Sequence, residues 1–318
     1  MTIFKKAMGL VLKICCSVLL LFVLFRQIDA KSVLSIIKNT NKPLLLFSFL
    51  LCSSVYILCF LRWKMLLAVS GIRPAISRLI SPFAGGVFFN LFLPTTIGGD
   101  FVRSADLAIH TKRANEVVAT VILDRLSGYI GMVLVALLAL IFGSKLIEDR
   151  MIFLSIAGLT AGLVLIMLVF FNSFVYSIFR KLFYSPDAGK IRAAIEDIHR
   201  EIYNLRDHKK VALKNLFLSI LVQAITPVTT YIIALSLGVD MNISYFFIIL
   251  PIISAISMLP ISLGGLGIRD AATIFFFAKV GVGQDLAFAM SLIGFLFIVI
   301  YAGIGGLIYV FTLRHRRV

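Results

Sequence analysis

Two stretches of this sequence place arginine shortly after a proline and a pair of glycines, inside otherwise apolar segments. They run from Leu93 to Arg103 and from Leu259 to Arg269, and both read L-P-x-x-[I/L]-G-G-x-x-[V/I]-R. A guanidinium in apolar surroundings is costly unless it meets a carboxylate, backbone carbonyls, water or a phosphate, which it can bind through two parallel hydrogen bonds. The two motifs therefore predict either buried ion pairs or a site for a phosphate group.

The two motifs indicate a duplicated element. They lie 166 residues apart and share five identities and two conservative matches. In each copy, we expect the proline to end the incoming helix, the glycines to allow a tight turn, and the arginine to follow on the next short helix. The residues assigned to the two turns are Pro94, Gly98, Gly99, Pro260, Gly264, Gly265 and Gly267.

Further polar residues accompany the motifs. Glu116 and Asp124 fall on one face of the helix predicted after the first motif, and Arg125 lies beside Asp124. Asn90 has two open roles, which are contact with a ligand and capping of carbonyls freed by the broken helix. Ion pairing and phosphate binding are both open for the charged residues. The candidate binding residues are Asn90, Asp100, Arg103, Glu116, Asp124, Arg125, Arg269 and Asp270.

The composition places these residues in an integral membrane protein. Of 318 residues, 60% are hydrophobic and 14% charged, which excludes an ordinary soluble domain. The net charge of +16 comes largely from basic residues that flank apolar runs, so the implied partner is a membrane surface and not a nucleic acid. The four cysteines lie in apolar runs and the four histidines lack a metal-binding spacing, so no metal and no cofactor is expected.

The apolar runs predict an all-α, polytopic membrane protein with one domain over residues 1–318. About six runs are long enough to cross the membrane, the first at 7–25, whereas Leu79–Leu93 and Tyr245–Leu259 are short and end in Pro and Gly. These two predict re-entrant helical hairpins. If both short runs form hairpins, the predicted cytoplasmic segments carry 19 Lys and Arg residues and the predicted external segments carry 6. If both short runs crossed the membrane fully, this bias would be reversed. The positive-inside rule then places both termini in the cytoplasm. The predicted location of the protein is the cell inner (plasma) membrane.

This topology divides the chain into two repeat halves. Residues 43–142 and 211–313 each contain a helix, a hairpin and a second helix, and the halves are predicted to have opposite orientations, as an inverted repeat. Arg103 and Arg269 should then converge near the midplane. Residues 172–210 predict a cytoplasmic amphipathic linker, either lying on the membrane or docking a partner enzyme. Arg62 is counted with the basic flank of the second long run, Pro43–Leu61, and Trp63 is assigned to the interface.

Three segments carry a resemblance to a known family. They are N-x-x-x-P-x-x-x-G-G-D-x-x-R at 90–103, D-R-L-S-G at 124–128, and P-x-x-x-G-G-x-G-x-R-D at 260–270. Together they resemble the lysylphosphatidylglycerol synthase transmembrane-region family, also described as flippase-like membrane proteins, over roughly residues 10–313. The resemblance implies lipid translocation, because this region is similar to the part of the multiple peptide resistance factors that moves aminoacylated phosphatidylglycerol between leaflets.

The resemblance implies a flippase or scramblase for an anionic lipid, with aminoacylated and glycosylated headgroups both open, and we expect Arg103 and Arg269 to hold the lipid phosphate. Membrane lipids are then the partners. Two alternatives stay open, namely a phosphatidylglycerol lysyltransferase-type aminoacyl transferase and a non-catalytic partner of a separately encoded transferase. Enzymatic activity is the weaker expectation, because the sequence ends at Val318 without a soluble transferase domain and shows no nucleophile or nucleotide-binding motif.

Overall fold

The computed structural model describes residues 30–93, 98–143, 149–171, 208–259, 262 and 265–315. These residues form ten α-helices and contain no strand. The helices are α1 Ala30–Lys38, α2 Lys42–Val69, α3 Ile76–Phe92, α4 Gly98–Thr111, α5 Ala114–Gly143, α6 Arg150–Phe171, α7 Lys209–Ser236, α8 Ser244–Ser257, α9 Ile268–Ala278 and α10 Gln284–His315. The helix predicted at 7–25, and residues 172–207 of the predicted linker, lie outside the described residues.

Five of these helices, α2, α5, α6, α7 and α10, are long and apolar enough to cross a membrane. This confirms an all-helical, multi-pass membrane protein. The two short apolar runs also form separate helices, the 17-residue α3 and the 14-residue α8. Each packs against the short helix that follows it, α3 against α4 and α8 against α9. That these helical pairs are re-entrant remains a prediction.

Helix α2 is longer than its apolar run. Asn41 caps its N-terminus by accepting a hydrogen bond from the Leu44 N–H, and the helix continues through Arg62 and Trp63 to Val69. Arg62 is only 3% exposed and Trp63 is fully buried, so both side chains are enclosed by the protein, while their depth in the membrane remains a prediction. Without Arg62, the predicted charge asymmetry still has 18 basic residues against 6.

The helix contacts follow the same pattern in both halves of the chain. The most extensive pairs are α2 with α7 and α3 with α10, and α8 packs on α5 as α3 packs on α10. The contacts of α4 with α5 and of α2 with α5 correspond to those of α9 with α10 and of α7 with α10. The short helices α3 and α8 therefore each pack on a long helix of the other half of the chain, so the two halves interlock.

The contact between α3 and α10 depends on glycine. A Cβ at Gly305 would lie 2.7 Å from the carbonyl oxygen of Ala84, whereas a Cβ at Gly303 would meet nothing within 4 Å. The backbone carbonyl cannot rotate away as a side chain could, so the two helices would have to separate to admit a methyl group.

We expect Gly305→Ala to lower the free energy of unfolding by about 1–3 kcal/mol, the usual cost of overpacking. Chemical denaturation in detergent micelles measures this change. Gly303→Ala on the same helix is the control and should leave stability unchanged or raise it by up to about 1 kcal/mol, because alanine favours helix over glycine. Equal effects of the two substitutions would contradict the close contact.

An exposed ion pair joins the residue before α6 to the end of α9. Lys279 Nζ lies 2.5 Å from Asp149 Oδ2, and this hydrogen bond holds the pKa of Asp149 below its ordinary value. Because a lowered carboxyl pKa stabilises the fold only while the group is ionised, the contribution is lost as the pH falls through that pKa. Solvent exposure keeps the contribution small.

Candidate functional site

The first motif brings the backbones of α3 and α4 into direct contact. A Cβ at Gly99 would lie 2.0 Å from the carbonyl oxygen of Gly86, so only glycine allows this approach. The Gly99 N–H donates a 2.9 Å hydrogen bond to Asn90 Oδ1, so Asn90 caps an amide at the start of α4 and not the carbonyls at the end of α3. Gly98 is the first residue of α4, while Pro94 lies outside the described residues.

Five charged side chains then form a continuous chain in which the signs alternate. Arg62 Nη2 lies 3.0 Å from Asp124 Oδ1, and the other oxygen of Asp124 lies 3.2 Å from Arg103 Nη2. Arg103 Nε lies 3.0 Å from Asp100 Oδ1, and Arg125 Nε lies 2.5 Å from Asp100 Oδ2. The order is Arg62, Asp124, Arg103, Asp100, Arg125, which joins α2, α5 and α4 and begins and ends with a cation.

Counted over the described residues, this chain carries a net charge of +1, because three guanidinium groups face two carboxylates. The side chains of Arg62 and Arg103 are 4% and 6% exposed, whereas that of Arg125 is 29% exposed. Among the residues that the structure describes, the buried Arg62 Nε has no hydrogen-bond partner. An excess charge in a largely buried group is unfavourable unless an ion of opposite sign or solvent reaches it, so the arrangement is compatible with an anion as ligand at the more exposed Arg125.

Neighbouring residues fix two of the three arginines in place. Arg62 Nη2 also donates to the main-chain oxygen of Asp124 and, over 2.8 Å, to Ser127 Oγ. Arg103 places its guanidinium carbon 5.1 Å from the centre of the Trp63 ring, which stabilises a buried cation. From α7, Asn215 Nδ2 donates to the main-chain oxygen of Arg62 over 3.2 Å, which links the second half of the chain to this group.

Two sequence predictions need correction at this site. Glu116 does not join Asp124, because it pairs with Arg113 at 2.9 Å on the exposed first turn of α5. Arg62 was missing from the candidates, although it closes one end of the charged chain. The signal for it was present, since extending the predicted helix by one turn beyond Leu61 would have placed this arginine inside a membrane-spanning segment.

The second motif builds a neutral group. Arg269 Nη2 lies 2.8 Å from Asp270 Oδ1, and Ser291 Oγ donates to the same oxygen while accepting from Arg269 Nε over 3.2 Å. The Gly267 N–H donates to Asp270 Oδ2 over 3.0 Å and thus caps α9. Gly265 and Gly267 both have positive φ, 78° and 80°, so here the glycines serve the turn. Pro260 and Gly264 lie outside the described residues.

The two motif arginines line neighbouring cavities. The first, of about 230 Å³, is lined by the five-residue charged chain together with Asn90, Tyr129 and Gln223; we call it the charged cavity. The second, of about 410 Å³, is lined by Arg125 and Arg269 and by many hydroxyl groups; we call it the hydroxyl chamber. Tyr56, Arg125 and Met258 line both. Arg103 and Arg269 thus lie on opposite sides of a shared wall, while their depth in the membrane remains a prediction.

The two cavities are lined by helices that occupy corresponding positions in the two halves of the chain. The charged cavity is lined from α2, α3, α4, α5 and α7, and the hydroxyl chamber from α7, α8, α9, α10 and α2, with Arg125 of α5 added. Exchanging the two halves of the chain converts one set of five helices into the other. The cavities therefore correspond in construction and differ in chemistry.

Comparison with known proteins gives consistent matches. A family model described as lysylphosphatidylglycerol synthase TM region matches residues 10–306. The chain is 25% identical over 267 residues to UPF0104 membrane protein PH1989 of Pyrococcus horikoshii, covering 76% of this chain and 78% of the relative. It is 24% identical over 283 residues to a UPF0104 membrane protein of Methanothermobacter thermautotrophicus, covering 82% and 81%. The family match includes every residue that lines the charged cavity.

Proposed function

Because the chain belongs to the lysylphosphatidylglycerol synthase TM region family, which indicates a lipid-related membrane function, we propose that it moves an anionic phospholipid between leaflets, as a flippase or scramblase. The lipid phosphate binds in the charged cavity. Arg103 and Arg125 contact it, and Asp100 and Asp124 orient these arginines. Asn90 borders the site as the cap of α4.

The observation that carries this proposal is the net charge of +1 that the three arginines and two aspartates of this largely buried chain have between them, counted over the described residues. One phosphate diester has a single negative charge and would neutralise it. Guanidinium groups can bind phosphate through two parallel hydrogen bonds, which adds specificity for this anion. Structural ion pairing alone would be satisfied by equal numbers of the two charges.

Two apolar grooves beside the charged cavity support a lipid as the ligand. One, of about 280 Å³, lies between α2, α3 and α10 and shares Tyr56, Phe83 and Val87 with the cavity. The other, of about 500 Å³, lies between α5, α6 and α8 and shares Tyr129 and Met258 with it. A ligand with a phosphate in the cavity could thus extend an acyl chain along either groove.

The proposal includes the inverted repeat, with halves at 43–142 and 211–313, and a cytoplasmic location of both termini and of residues 172–210. The matching helix contacts of the two halves support the repeat, and the excess of basic residues in the predicted cytoplasmic segments supports the orientation. Labelling of a cysteine introduced at Lys190 tests the orientation, which fails if an impermeant reagent reaches it from outside intact cells.

Leaflet exchange in proteoliposomes tests the function. Fluorescent phosphatidylglycerol is placed in both leaflets, and an impermeant reductant added outside bleaches the outer leaflet. We expect protein-free liposomes to keep about half of the fluorescence and liposomes with the protein to lose more over time. Equal residual fluorescence in the two preparations, with protein shown to be folded, would contradict translocation of this lipid.

A further inference from the structure

The hydroxyl chamber presents hydrogen-bond acceptors to a ligand. Six Ser and Thr side chains in its wall already donate their single proton within the protein. Thr226, Thr229, Thr230, Ser257 and Thr273 donate to main-chain oxygens one turn earlier, and Ser291 donates to Asp270. Each hydroxyl oxygen keeps lone pairs for accepting a hydrogen bond. A ligand group in this chamber should therefore supply donors.

The charge of the chamber limits which donor fits. Among the described residues that line it, the charged side chains are Arg125 and Arg269, and none is a carboxylate. Arg269 pairs with Asp270, and Arg125 pairs with Asp100, which it shares with Arg103. An ammonium group would lie beside two guanidinium groups without a carboxylate of its own, which is unfavourable at short range in a medium of low dielectric constant. Neutral hydroxyl groups supply donors without this repulsion.

The hydroxyl chamber lies next to the charged cavity. Arg125 lines both cavities and is the most exposed of the three arginines in the charged chain. A phosphate bound by Arg103 and Arg125 would therefore lie at the wall between the cavities. The part of a headgroup beyond the phosphate then has the hydroxyl chamber next to it.

We propose that this protein selects phospholipids whose headgroup continues from the phosphate into a neutral polyol, such as glycerol or a sugar, over those that end in an amine. The phosphate lies in the charged cavity and the polyol hydroxyls donate to the threonine and serine oxygens of the hydroxyl chamber. This inference rests on the proposed phosphate site and specifies the substrate class that the site accepts.

Three lipids separate the contributions of the phosphate charge, the headgroup hydroxyls and the amino groups to binding. Phosphatidylglycerol has one negative charge and a diol, phosphatidylmethanol has the same charge and no hydroxyl, and lysyl-phosphatidylglycerol has two amino groups on its lysyl part. Binding to the purified protein in detergent is followed through the emission of Trp63, the single Trp of the chain, which lies against Arg103. Leaflet exchange of each lipid is measured in parallel.

We expect phosphatidylglycerol to bind tightest of the three. Thr230→Val and Thr273→Val remove one acceptor each at constant shape, and each should weaken phosphatidylglycerol binding by about fivefold, the usual worth of one hydrogen bond. Binding of phosphatidylmethanol should not change. Thr160→Val is the matched control, because Thr160 makes the same bond to a main-chain oxygen, that of Ile156, and lies outside both cavities.

The outcomes distinguish this inference from the proposed function. Equal binding of phosphatidylglycerol and phosphatidylmethanol, or tighter binding of the lysyl lipid, would overturn the polyol selection even if lipids cross the membrane. Weaker binding of both phosphatidylglycerol and phosphatidylmethanol to the valine variants would also overturn the polyol selection, since that result indicates a general structural effect. Selective binding without any leaflet exchange would uphold the selection and refute translocation.

Discussion

Replacing Asp124 by Asn should be the most destabilising single change in the charged chain. Asp124 is the carboxylate shared by Arg62 and Arg103, so its neutralisation removes the carboxylate partner of Arg62 and leaves Arg103 to share Asp100 with Arg125. The net charge of the group would rise from +1 to +2. Removing one partner of a buried ion pair typically costs about 3–5 kcal/mol, and we expect a loss of that size in the free energy of unfolding.

Chemical denaturation of the purified protein in detergent micelles measures this loss. Glu116→Gln is a matched control on the same helix, because it also neutralises one acidic partner of an arginine. The Arg113–Glu116 pair is partly exposed, with side-chain exposures of 42% and 23%, and should contribute no more than about 1 kcal/mol. A cost for Asp124→Asn within 1 kcal/mol of the control would show that the buried chain does not stabilise the fold.

Replacing Arg103 by Gln should have the opposite profile, with a large loss of transport and a smaller loss of stability. Arg103 occupies the middle of the chain, so its removal leaves two separate pairs, Arg62 with Asp124 and Arg125 with Asp100. These pairs are balanced, which limits the structural cost. The excess positive charge disappears, and with it the bidentate donor for phosphate. We expect leaflet exchange to fall on the order of 100-fold, as expected for losing two charge-assisted hydrogen bonds.

Two further variants separate charge from geometry at Arg103. Arg103→Lys keeps the charge but cannot form the planar fork, so exchange should fall by about tenfold. The double variant Arg103→Gln with Asp100→Asn restores the net charge of +1 without the fork, and we expect it to fold and to remain inactive. Exchange is compared per folded protein in proteoliposomes. Substantial activity of the double variant would leave Arg103 with a structural role only.

The charged residues of the apolar runs could be recognised from the sequence, because an ionisable residue inside such a run has few alternatives to a polar interior, while their role in binding a ligand remains a prediction. Asp100, Arg103, Asp124 and Arg125 do lie together around the charged cavity. The prediction for Glu116 was wrong because helical periodicity shows which residues share a face of the helix, but not which residue each of them pairs with. Arg113, three residues earlier, offers a nearer cation at the exposed end of the same helix.

Other features depended on information that a residue pattern does not contain. Arg62 lies beyond the end of the uniformly apolar run, where Arg-Trp-Lys lowers the local hydropathy, although α2 continues for two more turns. The glycine pair of the first motif was predicted to turn the chain, but Gly99 instead allows contact with Gly86. Both distinctions depend on which helices pack together, and hydrophobicity alone does not specify the partners of helices in a membrane.

The interlocked contacts of the two halves have a consequence for biosynthesis. Helices α2 and α3 find their most extensive partners in α7 and α10, which are translated more than a hundred residues later. A nascent chain that has reached only the end of α6 lacks Asn215 of α7, which binds the main chain at Arg62, and the α10 glycines that receive α3. The two sequence halves therefore form one folding unit, and the charged residues of the first half acquire their contact with the second half only when α7 has been inserted.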